Sequence, residues 1–257
     1  ERVTRQVQND RSHVTNLEGK IRAYLQAGQR DVVLTDAHVV VGDFFRLDGS
    51  LTLHRSTQTV KLATDTAGTA VDEAVTGLAV DLFALGGTGL SAQVGVADGV
   101  GLSITGVEFG LALMSAQSDS SRRWTTLKAS ATGVSFNGID GVTASGSDIA
   151  VALNLADQTN DAVVDYAAGK TSLSVALNAS RTLAFDLAGT RGEVVEASGQ
   201  LSLGLFGFVE LDGRFNFHRG EQSIALADGT TVQAQMLTVG ATGASGFAGV
   251  GGGSNNP

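Results

Sequence analysis

Apolar and polar residues alternate along several stretches of this chain, and each stretch contains a glycine preceded by Thr, Ser or Asp. These stretches are Asp48–Leu53, Thr105–Phe109, Thr132–Phe136, Ser198–Leu203 and Asp212–Phe217. Alternation with a period of two is typical of a β-strand with one buried and one exposed face. Because the alternation continues on both sides of the glycine in residues 209–217, we predict long strands that bend at their glycines.

A long internal repeat accompanies this pattern. Residues Phe44–Arg55 match residues Phe208–Arg219 at an offset of 164, with identical Leu, Asp, Gly, His and Arg positions. A twelve-residue match of this kind, flanked by further aligned apolar positions, indicates duplication.

The flanking matches need small changes of offset. Upstream, Val32–Val33 aligns with Val194–Val195 and Val39–Val41 with Leu201–Leu203, both at an offset of 162. Downstream, Leu78–Val80 can be aligned with Leu237–Val239.

The repeat predicts how the chain is divided. Residues 1–182 form about one full unit, and residues 183–257 begin a further copy, with a period of about 163 residues. The second copy is incomplete, so we expect the natural polypeptide to carry more copies.

These patterns predict an all-β, elongated architecture in which bent strands wrap into a β-solenoid or a rolled sheet. Tandem β-sandwiches are the alternative. The single proline is Pro257, at the end of the sequence. Proline removes a hydrogen-bond donor from a β-ladder, so its scarcity favours long continuous sheets.

The two ends of the chain give weaker signals. Arg2–Leu25 carries apolar residues at spacings compatible with a short amphipathic helix, whereas the matching region of the second copy has the character of strands. Gly240–Asn256 is rich in glycine and is expected to be a frayed terminus.

Composition excludes several classes of protein. The chain has no cysteine, which excludes a disulfide scaffold and a thiolate metal site. Its hydrophobic content of 42% and charged content of 17% argue against a disordered tail. The net charge of −9 argues against a nucleic-acid partner, and no transmembrane segment is evident.

Histidine and aspartate are the residues considered as candidates for metal binding or a structural role. The histidines are His13, His38, His54 and His218. None of them has metal-ligand spacing, and His54 and His218 occupy the same repeat position, where a strand-end structural role is expected. Asp48 and Asp212 precede glycine in the repeat and are expected to cap backbone amides at a bend.

Calcium is the alternative role for these aspartates, since Asp-Gly pairs also occur at Asp98, Asp140 and Asp228. The nonapeptide pattern of calcium-binding β-rolls and the EF-hand loop are both absent from the sequence. We therefore assign no metal or cofactor, and structural calcium stays a minor alternative.

The sequence contains no recognisable catalytic constellation. Gly86–Gly89 lacks the Lys-Ser/Thr of a P-loop, and the spacing of Gly141 and Gly146 is not that of a nucleophile elbow. No catalytic or cofactor-binding residues are assigned, and we expect the protein not to be an enzyme.

A resemblance to a known group of proteins supports this interpretation. Phe208–Phe217, Thr238–Gly251, Val100–Leu111 and Trp124–Asn154 resemble repeat units of very large secreted proteins of Gram-negative bacteria, usually described as adhesin-like. The resemblance covers most of the chain as a pattern and carries no catalytic residues. It implies a bacterial, extracellular or cell-surface location and a multi-repeat architecture.

The expected function is therefore structural: a stalk, an adhesin segment or a filament subunit that associates with neighbouring repeats and contacts a cell surface or matrix. A surface ligand-binding module, with recognition by the loop Gln117–Arg123, is one alternative. A lipid-conducting β-groove is the other, and an open sheet lined by apolar residues would favour it.

Overall fold

One long antiparallel sheet dominates the protein. The computed structural model of the chain describes residues 31–41, 45–63, 74, 76–95, 99–157 and 162–250. The strands are β1 (Asp31–Val41), β2 (Phe45–Val60), β3 (Leu78–Gly95), β4 (Gly101–Ala116), β5 (Arg123–Asn137), β6 (Val142–Ala156), β7 (Ser174–Ala176), β8 (Thr182–Ala184), β9 (Val194–Leu205), β10 (Val209–Ala225) and β11 (Thr231–Ala248). The prediction of an all-β protein with long strands is confirmed.

The order of the strands in the sheet follows the chain almost throughout. The nine-stranded sheet has the order β1-β2-β3-β4-β5-β6-β9-β10-β11, and every neighbouring pair is antiparallel. The connections β5–β6, β9–β10 and β10–β11 are turns that contain glycines of positive φ, such as Gly141 and Gly229. Within the described residues, β1 and β11 each have one neighbour and form the two edges of the sheet.

A line of irregularities in strand pairing crosses the sheet. The register shifts lie at Leu34/Ala37, Asp48/Ser50, Gly87/Leu90, Leu90/Ala92, Ser147/Ala150 and Asp212/Arg214. Gly49 lies on this line with φ of 138°, and a Cβ atom added to it would approach Cα of Leu90 to 2.8 Å. Only glycine fits this close approach, and the predicted bend at Gly49 coincides with the register shift between Asp48 and Ser50.

The repeated sequences adopt the same local structure. β9, β10 and β11 pair in the same order as β1, β2 and β3, and the register shifts at Asp212/Arg214 as it does at Asp48/Ser50.

The register also corrects the predicted offset between the repeats. Leu47 pairs with Val39, and Leu211 pairs with Leu203. Val39 therefore corresponds to Leu203, at the same offset of 164, and the predicted two-residue shift for these residues is wrong. A slip of two residues preserves the alternation of faces, so the apolar pattern alone could not detect this error.

One face of the sheet is covered by the connection between β6 and β9. This cover segment, residues 162–192, contains β7 and β8 and packs on strands β2 to β6. Its side chains form the core with the sheet, whose fully buried members include Val80, Trp124, Val164, Val175 and Val194. The Tyr166 and Phe185 rings lie 5.3 Å apart within this core.

Buried hydrogen bonds anchor the cover segment to the sheet. Trp124 Nε1 donates to the Ala162 carbonyl at 2.9 Å, and Asn154 Nδ2 donates to the Val164 carbonyl at 2.8 Å. The hydroxyl groups of Thr126 and Tyr166 lie 2.8 Å apart. Burial raises the pKa of Tyr166 above its ordinary value, as expected for a phenol removed from water.

Predictions were made for both ends of the chain, and the structure tests only the one at the C-terminal end. Residues 240–248 belong to β11, so the frayed terminus predicted from Gly240 onward is wrong for these residues. Pairing with β10 satisfies the backbone groups that face that strand, in spite of the glycines. The helix predicted over Arg2–Leu25 lies outside the described residues.

Candidate interaction surface

The two faces of the sheet have different surroundings. Side chains alternate between the faces, and residues paired across strands share a face. A Cβ atom added to Gly110 would meet Val175 and Leu183 of the cover segment, so Gly110 faces that segment. Leu111, next along β4, therefore lies on the opposite side, which we call the open face.

The open face is apolar over most of its width. Two rows of paired residues show this. The first row is Val32, Leu53, Leu85, Leu111, Leu127, Leu153, Val195, Arg219 and Leu237. The second row, beyond the line of bulges, is Phe45, Val94, Leu102, Phe136, Ala144, Leu203, Leu211 and Gly246.

Both rows lie on the same face, because β2 and β10 contain no extra residue at the register shifts and their side chains keep alternating between the two faces. In β2 one residue, Gly49, lies between the paired positions where β3 has two. The extra residue therefore belongs to β3, and Leu47, Gly49 and Leu51 continue the alternation unbroken. The same holds for β10 opposite β11.

The described residues contain no cover for most of this face. Apart from Val32, every apolar residue in the two rows is half-buried or exposed, and Leu237 is 68% exposed. An apolar patch of this size that no described residue covers is a candidate interaction surface.

The opposite side of the same strands, beyond the bulges, is polar. The row adjacent to Leu102 and Leu203 consists of Arg46, Gln93, Ser103, Ser135, Ser145, Ser202, Asp212 and Ser245. The two sides of these strands therefore differ in polarity, and the apolar one is the open face.

The predicted structural histidines form pairs with acidic side chains. His54 Nδ1 lies 2.5 Å from Asp31 Oδ1, and His218 Nδ1 lies 3.0 Å from Glu196 Oε1. His38 pairs with Asp48. Both repeat histidines lie inside strands β2 and β10, so the predicted strand-end position is wrong, while His13 lies outside the described residues.

The aspartates of the repeat also bind side chains on the neighbouring strand. Asp212 Oδ1 accepts a hydrogen bond of 2.9 Å from Gln200 Nε2, and Asp48 pairs with His38 across β1 and β2. These carboxylates therefore do not have the backbone-capping contacts expected of them. Asp228 does cap a turn, since it accepts from Thr230 N at 2.9 Å, and hydrogen bonds from Thr230 lower its pKa.

The other candidate residues do not converge on a site. Among the described residues, no group of three or more His, Cys, Asp or Glu side chains is placed to hold a metal ion. Asp98 lies outside the described residues. In β3, Gly86 faces the carbonyl of Ala176 in the cover segment, so this glycine allows close packing.

The loop Gln117–Arg123 is held by hydrogen bonds within itself and to β3, where Gln117 Nε2 donates to Asp81 Oδ1 at 2.9 Å. Asp119 accepts hydrogen bonds from Ser121 N at 3.0 Å and Ser121 Oγ at 2.7 Å. These bonds hold the pKa of Asp119 below its ordinary value. Arg122 stacks over the Trp124 ring at 5.3 Å. Ligand recognition by this loop stays a prediction.

No family model, curated protein or solved structure matches this chain. The resemblance to repeat units of large secreted proteins therefore stays a prediction. Among the described residues, no helix is long and apolar enough to cross a bilayer.

The sequence did not point to the open face as the main surface. The signal was present in β4, where Leu111 and Leu113 alternate with Ala112 and Met114. Both faces of this stretch are apolar, so the pattern predicts burial on both sides. Only the position of the cover segment shows which side has no cover among the described residues.

Proposed function

We propose that the chain is a structural repeat module of an extended protein assembly at a bacterial surface, such as a stalk, an adhesin segment or a filament. The observation that carries the proposal is the β6–β9 ladder. It joins the two repeat copies as ordinary antiparallel neighbours in one sheet. A sheet that passes from one copy to the next in this way can grow with the number of repeats.

The edge strand β11 supports continued growth. Its counterpart in the first copy, β3, pairs with β2 on one side and β4 on the other. β11 pairs with β10 on one side, and its second side has no partner among the described residues. A long unpaired edge is a template for another strand, so the next part of the repeat, or another copy, would pair there.

The rolled sheet is the architecture we propose for such an assembly. Neighbouring strands twist by roughly 20° relative to one another, and bulges add local bending. Over several repeats these rotations would coil a continuous sheet into a rolled, elongated body. The extracellular location belongs to the same proposal, and the multi-repeat resemblance supports it.

Edge growth can be tested with proline in β11. Adjacent residues of a strand direct their N–H groups to opposite sides, so Thr238→Pro and Val239→Pro remove one donor facing β10 and one donor facing outward. We expect the parent chain to form elongated oligomers that lengthen with concentration in electron micrographs.

The two proline variants act as controls for each other. The variant that loses the outward donor should keep its melting temperature close to that of the parent and form shorter oligomers. A parent chain without elongated oligomers at high concentration, or two variants that assemble like the parent, would contradict edge growth.

A further inference from the structure

The open face requires an occupant because its apolar area is large. Nine strands about 4.8 Å apart and roughly twelve residues long at 3.3 Å each give a face of about 1,500 Å². Pairing two such faces would bury about 3,000 Å², which lies in the range of obligate homodimers. The face therefore has the size of a permanent interface.

The chemistry of the face restricts what can cover it. The interior of the two rows consists of Leu, Val, Phe and Ala, with no hydrogen-bonding side chain between β1 and β9. Such a surface cannot orient a polar ligand, and it matches the inner face of a two-sheet sandwich.

Charged residues lie near one end of the open face. Arg55 and Asp81 pair with Phe83 and Thr57 on this face, and Arg123 pairs with Ser115. All three charged residues are exposed. Because both signs are present, a second copy of the same surface offers opposite charges around an apolar centre.

We propose that the open face binds the open face of a second copy of this chain, giving a two-layer sandwich. Two-fold pairing of identical faces closes at two copies, with the sheets about 10 Å apart. This contact does not depend on edge growth, because it uses side chains on one face and leaves the backbone groups of β1 and β11 free.

Scattering and sedimentation of the full chain test the pairing directly. At concentrations too low for edge growth, we expect a particle of twice the chain mass of 26.2 kDa. Its small-angle scattering should fit two stacked sheets, whereas an edge-joined pair would be twice as wide and one sheet thick. Binding of the dye ANS per mole of chain should rise when dilution separates the copies and exposes apolar surface.

Neighbouring residues of β9 provide a matched pair of variants. Leu201→Glu places a carboxylate on the open face, and Ser202→Glu places one on the polar side; both residues are exposed. Burying an unpaired charge costs several kcal/mol, so Leu201→Glu should weaken dimerisation by about 100-fold or more. Ser202→Glu should leave it unchanged.

A second pair of variants distinguishes weaker pairing from loss of the fold. Leu237 is 68% exposed in β11, so Leu237→Glu should not strain the single chain, and Thr238→Glu is its control on the other side. Circular dichroism would verify folding for all four variants.

Three results would overturn the proposal. The first is a parent chain that is monomeric at all concentrations. The second is that the Leu201→Glu and Leu237→Glu variants pair as tightly as the parent. The third is a monomer that carries co-purified acyl lipid, detected by mass spectrometry. The last result would assign the open face to a lipid-conducting groove. Dimers that do not lengthen with concentration would contradict edge growth alone, and elongated oligomers one sheet thick would contradict face pairing alone, so the two proposals fail separately.

Discussion

Asn154 offers the sharpest test of how the cover segment is held on the sheet. This side chain is fully buried in β6. Its Nδ2 donates to the Val164 carbonyl at 2.8 Å, and its Oδ1 accepts from the Thr126 hydroxyl at 3.2 Å. Asn154→Ala removes both bonds and leaves the Thr126 hydroxyl with Tyr166 as its partner.

The cost follows from the groups that lose their partners. The Val164 carbonyl is left buried without Asn154, which costs roughly 1–3 kcal/mol. A cavity of about 30 Å³ adds about 0.7 kcal/mol at 24 cal/mol per Å³. We therefore expect a loss of about 2–4 kcal/mol in the free energy of unfolding, and a fall in melting temperature of about 4–16 °C at roughly 2–4 °C per kcal/mol.

Thermal and urea unfolding followed by circular dichroism would measure this loss. Asn216→Ala is the matched control, because Asn216 is an exposed asparagine in β10 and its removal should change stability by less than about 0.5 kcal/mol. Amide hydrogen exchange should accelerate in residues 162–187 of the Asn154→Ala variant, where the cover segment loosens.

The result that would refute this reasoning is an Asn154→Ala variant within about 0.5 kcal/mol of the parent. In that case the buried hydrogen bonds would not hold the cover segment, and apolar packing around Trp124 would have to account for its position. Accelerated exchange spread over all strands, without preference for residues 162–187, would also count against the assignment.

The remaining predictions concern close packing and one acidic residue. Gly86→Ala should destabilise the protein by about 1–3 kcal/mol, because the added methyl group meets the Ala176 carbonyl. Gly240→Ala, which meets nothing within 4 Å, should be neutral or slightly stabilising in the same melts. The Asp119 carboxyl should titrate below its ordinary pKa by NMR, and Ser121→Ala should raise the pKa. Its contribution to stability is present above the ordinary pKa and is lost as the pH falls through the lowered value; an unchanged Asp119 titration in the variant would refute the role of Ser121.

The strand pattern and the bends could be predicted locally. Alternation around Gly49 and Gly213 predicts strands, because a period of two is a property of the extended backbone itself. The match between Phe44–Arg55 and Phe208–Arg219 predicts equivalent structures, and β2 and β10 do pair alike, each opposite a bulge in the next strand.

The details of pairing could not be predicted in the same way. The two-residue shift inferred between Val39 and Leu201 preserves the faces, so a correct and an incorrect register give the same apolar pattern. The aspartates of the repeat illustrate the same limit. Asp48 and Asp212 were expected to cap local amides, yet their partners, His38 and Gln200, lie on adjacent strands.

The sequence alone determined that this protein is built from long, glycine-bent strands, arranged as a duplicated pattern with little proline. Those features depend on residues close together in the chain. The tertiary structure decided which apolar face is covered. In β4, Ala112 and Met114 are buried beneath the cover segment, whereas Leu113, between them, is 41% exposed on the open face. The difference arises because residues 162–192 return across one side of the sheet, and that path depends on contacts with strands far away in sequence.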